Sequence, residues 1–293
     1  MKNKCSVLAV ANQKGGCSKS TTVTSLASAF ANLGRRVLVV DFDFQGNSSD
    51  WFGMKEKAIA EGRTVTTAVQ KGLSIADVRM PTKNERIDII CADFSLNWEV
   101  RKLNGTSRQF QLLKKILDCP EADEYNIILI DSNPAIDPLF ESIMGYADYF
   151  LVPVFAEKHP YSGLEYLTKA VDQIKEDVNP MLHFLGLVIT KYNKKNSTHR
   201  KFEKKLRELQ GVTNVPVLES VIPTSEAVTG ASARQQTLLE YDSSLPVSQA
   251  YMQLAEELLP MLKGRRTGRP KKQPVISRAS KSSFDQVFDE ASF

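Results

Sequence analysis

Short aliphatic runs that do not alternate with polar residues recur along the chain, at Val7–Val10, Val37–Val40, Ile127–Ile130 and Phe184–Thr190. A strand buried on both faces reads this way, because neither face has water to receive a polar side chain. Arg86–Cys91 and Val215–Ile222 read as further strands. Between the runs the period changes. Val23, Leu26, Ala27, Phe30 and Leu33 fall on one helical face, and Gly34 follows as a C-terminal stop. Ser107–Asp118 carries Phe110, Leu113, Ile116 and Leu117 on one face and predicts an amphipathic helix. Ser244–Leu262 predicts another, with Leu245, Val247, Tyr251, Leu254, Leu258 and Met261 inward and Pro260 at its end. Residues 50–85 have little periodicity, and only a helix near Val65–Lys71 is read there.

Length and composition add bounds. The 293 residues, 42% hydrophobic and 25% charged, suit a soluble chain with room for one large α/β domain or two small ones. No run of 18 apolar residues and no secretory h-region occurs, so a non-spanning, cytoplasmic protein is expected. Cys5, Cys17, Cys91 and Cys119 form no CxxC and no metal-ligand spacing, and read as reduced thiols. His159, His183 and His199 are isolated and receive no metal or catalytic role. The net charge of +4 is uneven: residues 263–293 hold eight Lys/Arg and three Asp/Glu, leaving the first 262 at −1. By composition this stretch is a disordered basic tail on a domain of residues 1–262. Its end, Ser283–Phe293, is acidic and places Phe284, Val287 and Phe288 on one helical face. That makes it a poor membrane anchor and a candidate partner-docking peptide.

The candidate chemistry begins at Asn12-Gln-Lys-Gly-Gly-Cys-Ser-Lys-Ser-Thr21, between the first strand and the first helix. Backbone N–H groups freed by the glycines and a helix N-terminus make an anion cradle. Lys19 can reach β- and γ-phosphates from there, and the Ser20 hydroxyl is placed for Mg²⁺. The common spacing GxxxxGK[ST] is not met: Ser18 stands where that pattern has Gly, and a second lysine, Lys14, opens the loop. The stretch resembles the deviant Walker A motif, KGGxxK[ST][ST], of the ParA/MinD family of P-loop ATPases. Asp41-Phe-Asp-Phe-Gln-Gly-Asn47 resembles that family's DxDPQGN box with Phe44 in place of proline, although Asp41 is also placed to cap the next helix. Tyr125–Asp131 has the form of a Walker B strand ending in its aspartate, and continues Ser132-Asn133-Pro134.

The resemblance covers roughly residues 5–262, is strongest over 10–47, and is nearest to the small ParA/Soj-type partition ATPases, which lack an N-terminal helix-turn-helix domain. It makes Ala147–Val154 a strand and Tyr161–Asp177 the helix after it. The fold it implies is one α/β domain, doubly wound, with a largely parallel sheet and helices on both faces, a SIMIBI-like P-loop NTPase. It implies ATP held by Lys14, Gly15, Gly16, Cys17, Ser18, Lys19, Ser20 and Thr21, and Mg²⁺ near Ser20, Asp41 and Asp131. Lys14 would reach the nucleotide of a second subunit, Lys19 would act at the phosphates, and Asp43 would position the attacking water. An ATP-dependent homodimer on nonspecific DNA follows, with no membrane partner. Its hydrolysis would be stimulated by a ParB-like or CopG-like centromere-binding protein, and its cargo would be a plasmid, chromosome or integrative element on the nucleoid. A ParA-like ATPase that positions a protein assembly, or an ATP-dependent DNA-binding repressor that does not hydrolyse, is the alternative. A nitrogenase-type iron protein would need a cluster cysteine after Walker B, where Ser132-Asn133-Pro134 stands. A MinD-like membrane ATPase would need a basic amphipathic C-terminus.

DNA contacts have three sequence candidates: the basic run after Thr190, Arg234 and the tail. Positions 191–210 hold eight Lys/Arg against two Glu, with Lys191, Lys194, Lys195, Arg200 and Lys201 leading, though such a run also reads as a solvated helix face. Thr224–Gln236 lacks the family's arginine pair and keeps Arg234. In the tail, Arg266-Thr-Gly-Arg-Pro-Lys-Lys272 is similar to the AT-hook, with Arg266, Arg269, Lys271 and Lys272 as its cations. A flexible basic arm acting through counterion release is the alternative there.

Overall fold

Strands Ser6–Val10 (β1), Val37–Phe42 (β2), Met80–Pro81 (β3), Ile87–Ile90 (β4), Ile127–Ser132 (β5), Tyr149–Val154 (β6), His183–Tyr192 (β7) and Val217–Pro223 (β8) form one sheet. Its order is β3-β4-β2-β5-β1-β6-β7-β8, and every pairing is parallel except that of β3 with β4. The computed structural model describes residues 5–103, 111–155, 162–213 and 215–263. The tail cations Arg266, Arg269, Lys271 and Lys272 and the acidic end therefore lie outside the described residues.

The non-alternating runs have the expected cause. Every residue of β1, β2 and β5 is buried, and successive side chains point to opposite faces. Val7, Ala9, Leu38, Val40, Ile128 and Ile130 enter one apolar layer, with Leu113, Ile143 and Val171 from helices Leu112–Leu117, Pro138–Tyr146 and Ser162–Asp177. Leu8, Val10, Val37, Val39, Ile127 and Leu129 enter the other, with Phe30 and Leu254 from helices Lys19–Asn32 and Pro246–Leu258. Register keeps the layers apart: Val7 lies opposite Ile128 and Leu8 opposite Leu129. The architecture is thus a doubly wound α/β sheet with helices on both faces. From β1 the chain crosses to β2, goes out to β3 at the edge, steps back to β4 and returns to β5 beside β1, then continues through β6, β7 and β8 on the other side. Winding reverses at β1, and the crevice beyond the carboxyl ends of strands at such a point is where open α/β sheets bind ligands.

Several elements differ from expectation. Helices Asn47–Trp51, Lys55–Glu61 and Ile75–Val78 and strand β3 occupy the region without clear periodicity, along with the expected helix Val65–Lys71. None is longer than two turns, too short to display a helical period. Helix Leu96–Leu103 is also new, and Leu112–Leu117 is the described part of the helix expected over 107–118. Met261 does not face inward: helix Pro246–Leu258 gives way to the 3₁₀ turn Leu259–Met261 around Pro260, leaving Met261 exposed. No helix among the described residues is long and apolar enough to cross a membrane.

A polar latch closes the amino-terminal end of the sheet, opposite the crevice. The Tyr125 hydroxyl donates to Asp88 Oδ2 at 2.7 Å and accepts from Arg79 Nη1 at 3.1 Å, while Arg36 pairs with Asp88 at 3.3 Å. Tyr125 is buried, so removing its hydroxyl strands part of this network. Tyr125→Phe is expected to cost about 1–3 kcal/mol, seen as a lower urea midpoint with unchanged slope.

Candidate functional site

The loop between β1 and helix Lys19–Asn32 is braced from neighbouring strands. Asn12 Nδ2 donates to the Pro153 carbonyl at 2.7 Å, and Asn12 Oδ1 accepts from Lys14 N at 3.0 Å. The Thr190 hydroxyl, on β7, donates to the carbonyls of Cys17 (3.4 Å) and Val154 (3.3 Å). Cys17 is buried and its thiol donates to the Lys14 carbonyl at 2.9 Å. Burial pushes that thiol's pKa up, against the charge of Lys19, so Cys17 is a packing residue of the loop. Lys19 folds back so that its ammonium lies 3.5 Å from the Lys14 carbonyl. A Cβ added at Gly15 or Gly16 would meet nothing within 4 Å, so the cradle is open.

Ser18 stands at φ 69°, ψ 27°, just before the helix. That region costs an L residue roughly 1–2 kcal/mol, which explains why related loops place Gly there. Gly loses more chain entropy on folding, by roughly 0.5–1 kcal/mol, so the two effects partly cancel. Ser18→Gly is expected to stabilise by about 1 kcal/mol, a rise of roughly 2–4 °C in thermal midpoint.

Facing the loop is a carboxylate pair. Asp41 and Asp131 lie opposite each other in register on β2 and β5, both fully buried. Burial raises both, and for Asp41 the neighbouring Asp131 charge adds to it. Their partners differ. Asp41 Oδ2 accepts from Ser49 N (2.8 Å) and Ser49 Oγ (2.7 Å), and Oδ1 accepts from Asp43 N (3.2 Å). Asp131 Oδ2 accepts from Ser48 Oγ at 2.7 Å, but its Oδ1 is buried with no hydrogen-bond partner among the described residues. The Ser20 hydroxyl lies close enough to this carboxylate to lower its pKa by hydrogen bonding. An orphaned carboxylate oxygen beside a hydroxyl is the oxygen donor set a hard cation takes, and Mg²⁺ usually needs only one or two protein ligands besides phosphates. Ser20 and Asp131 thus fit magnesium. Asp41 caps helix Asn47–Trp51 through Ser49 N while holding the backbone of Asp43, and its carboxylate stands beside that of Asp131.

Asp43 itself borders the cleft, with Oδ1 accepting from Gln45 N at 3.0 Å. Burial raises its pKa, with the Gln45 hydrogen bond and Lys19 acting the other way. The cleft has a volume of about 860 Å³. Gly15, Gly16 and Ser18–Thr21 line one end, and Pro223, Thr224, Ser225, Val228 and Thr229 line another part of the wall. It is large enough for a nucleotide.

A family model described as an AAA domain matches residues 5–184. The chromosome partitioning protein ParA of Caulobacter vibrioides is 34% identical over 259 residues, 88% of this chain and 95% of that protein. The chain belongs to the ParA/Soj family of P-loop ATPases. The chromosome-partitioning ATPase Soj of Thermus thermophilus is 28% identical over 86% of this chain and 94% of that one. Among solved structures, cobyrinic acid a,c-diamide synthase from Mycobacterium smegmatis with bound ADP and magnesium superposes with a TM-score of 0.74 at 26% identity, covering 92% of this chain and all of that one (100%).

The basic residues separate on the structure. Lys194, Lys195, Arg200 and Lys201 are exposed around the start of helix Ser197–Thr213, where Arg200 Nη1 also donates to the Lys194 carbonyl at 2.8 Å. Arg234 follows helix Ala227–Ala233 and stacks on Tyr241, 5.2 Å from the ring centroid. Lys191 lies apart from the Lys194–Lys201 group in one respect: it borders the cleft. Sequence reasoning missed the wall after β8 and Asn133, whose Nδ2 donates to Asp137 at 2.7 Å while its buried Oδ1 has no partner among the described residues. The available signal for the wall was position alone, since it follows the carboxyl end of a strand.

Proposed function

We propose that the chain is a partition ATPase that dimerises with ATP, holds nonspecific DNA as a dimer, and releases it after partner-stimulated hydrolysis. The observation that carries this reading is the braced loop facing the orphaned oxygen of Asp131, a nucleotide cradle with a hard-cation position built in. Backbone amides of residues 15–21 and Lys19 bind the phosphates, and the wall after β8 receives the base. Ser20 and Asp131 hold magnesium, which neutralises phosphate charge when bound. Asp43 orients and accepts a proton from the attacking water. Lys14 crosses to the nucleotide of a second copy, so two protomers close on each other only when both are loaded. Closure brings two sets of exposed cations, led by Lys194, Lys195, Arg200 and Lys201 and supplemented by Arg234 and the tail residues Arg266, Arg269, Lys271 and Lys272, onto one duplex, and affinity rises through avidity. A ParB-like or CopG-like centromere protein is the expected stimulator, and a plasmid, chromosome or integrative element the cargo.

The test is light scattering with and without ATP and magnesium, followed by DNA binding and phosphate release with and without a ParB-like or CopG-like centromere-binding protein. A nucleotide-dependent dimer, DNA binding restricted to that dimer, and stimulated phosphate release are expected. A monomer at saturating ATP would overturn the reading. A DNA-bound dimer with no phosphate release under any condition would make the protein an ATP-dependent repressor instead.

A further inference from the structure

Charge alone groups Lys191 with the basic run that continues to Lys201, but of Lys191, Lys194, Lys195, Arg200 and Lys201 only Lys191 borders the nucleotide cleft. Four observations bear on why. Its backbone is left-handed, at φ 51°, a conformation that an L side chain adopts under constraint and that concentrates at functional positions. The preceding residue, Thr190, is tied by its hydroxyl to the Cys17 carbonyl of the phosphate loop, which fixes where Lys191 begins. Its ammonium lies 5.4 Å from the centroid of the Phe155 ring, and the Lys14 ammonium lies 5.5 Å from the same centroid. Lys191 has no carboxylate or hydrogen-bond partner for that ammonium among the described residues.

Two ammonium groups attracted to one aromatic ring repel each other, and an anion arriving beside them is attracted by both. The anion that this cleft is built for is a polyphosphate. We propose that Lys191 is a nucleotide-binding residue and not part of the DNA surface: Phe155 is the resting place of its ammonium, which transfers to the polyphosphate when a nucleoside triphosphate enters. This rests on the nucleotide reading of the cleft given above. The DNA-binding run then begins at Lys194.

Calorimetric titration of the full chain with ATPγS and with AMP tests the assignment. Lys191→Met keeps most of the side-chain bulk and removes the charge; it is expected to raise the Kd for ATPγS about 10-fold or more and to leave that for AMP unchanged. Lys191→Arg, which keeps the charge, should return the ATPγS Kd to within a few-fold of the unmodified value, showing that the Met variant did not act by misfolding. Phe155→Leu should shift ATPγS in the opposite direction, about 2- to 5-fold tighter, because it removes the competing ring. Affinity of the nucleotide-saturated Lys191→Met protein for duplex DNA should stay within about 2-fold, whereas Lys194→Met weakens it and flattens its salt dependence. An unchanged ATPγS Kd in Lys191→Met, with DNA affinity reduced as in Lys194→Met, overturns the assignment and returns Lys191 to the DNA surface. Failure of the unmodified chain to bind ATPγS at all would remove the nucleotide reading itself, and this assignment with it.

Discussion

Lys19→Ala is expected to abolish ATP binding at millimolar nucleotide, with a Kd at least about 100-fold above that of the unmodified chain. Lys19 is buried, 7% exposed, and its charge lowers the pKa of both Asp43 and Asp131. It therefore does two things that Ala cannot. In the proposed site it supplies a charge-assisted contact to the β- and γ-phosphates, and its charge compensates a site that otherwise gathers Asp41, Asp43 and Asp131 around an incoming polyanion. Without it the nucleotide meets uncompensated carboxylates. Lys14→Ala provides the contrast. Lys14 sits at the open mouth of the loop, its ammonium near Phe155, and its proposed target is the nucleotide of a second copy. This variant should retain ATP binding within about 3-fold while remaining monomeric in light scattering with ATP and magnesium. Equal loss of nucleotide affinity in the two variants would remove the cross-subunit role of Lys14.

The contrast between what the sequence reveals and what it hides has a physical pattern. β1, β2 and β5 were legible because strands covered on both faces have no polar alternation, and the phosphate loop was legible because its glycines and lysines serve backbone geometry and charge at fixed spacing. Helix Asn47–Trp51 was hidden because five residues do not complete two turns, and its stability comes from a distant residue, Asp41, capping it through Ser49. Asp41 could be read either as a cap or as a metal neighbour because the residue type serves both, and the Ser49 contact is the capping half of that reading. Lys191 was hidden for a different reason. A run of cations is uniform in sequence, whereas one left-handed residue at the end of β7 is enough to send its first member to the cleft. The wall after β8 carries no motif, since a base can be held by small and apolar side chains of many kinds.

Asp43→Ala should bind nucleotide and then stop. The expected result is a dimer that forms with ATP and magnesium, stays on DNA, and releases phosphate about 10²–10⁴-fold more slowly than the unmodified protein. The geometry separates this residue from binding. Its Oδ1 is held by Gln45 N and its own N–H by Asp41 Oδ1, so the carboxylate is fixed at the cleft without being needed to shape the phosphate loop. The proposed magnesium residues, Ser20 and Asp131, are untouched, and removing one negative charge from the cleft makes polyphosphate binding no weaker. Burial raises the Asp43 carboxyl above its ordinary value, which makes it a better proton acceptor than an exposed aspartate. The unmodified enzyme should therefore lose activity as pH falls through this raised pKa, because protonation removes the acceptor, and the loss should be absent from the residual rate of Asp43→Ala. Single-turnover phosphate release against pH, with the dimer population followed in parallel, reads both quantities. Turnover by Asp43→Ala at the unmodified rate would exclude Asp43 from the chemistry. Loss of the ATP-bound dimer in that variant would instead make Asp43 a binding residue, its carboxylate needed for nucleotide or partner contact before hydrolysis begins.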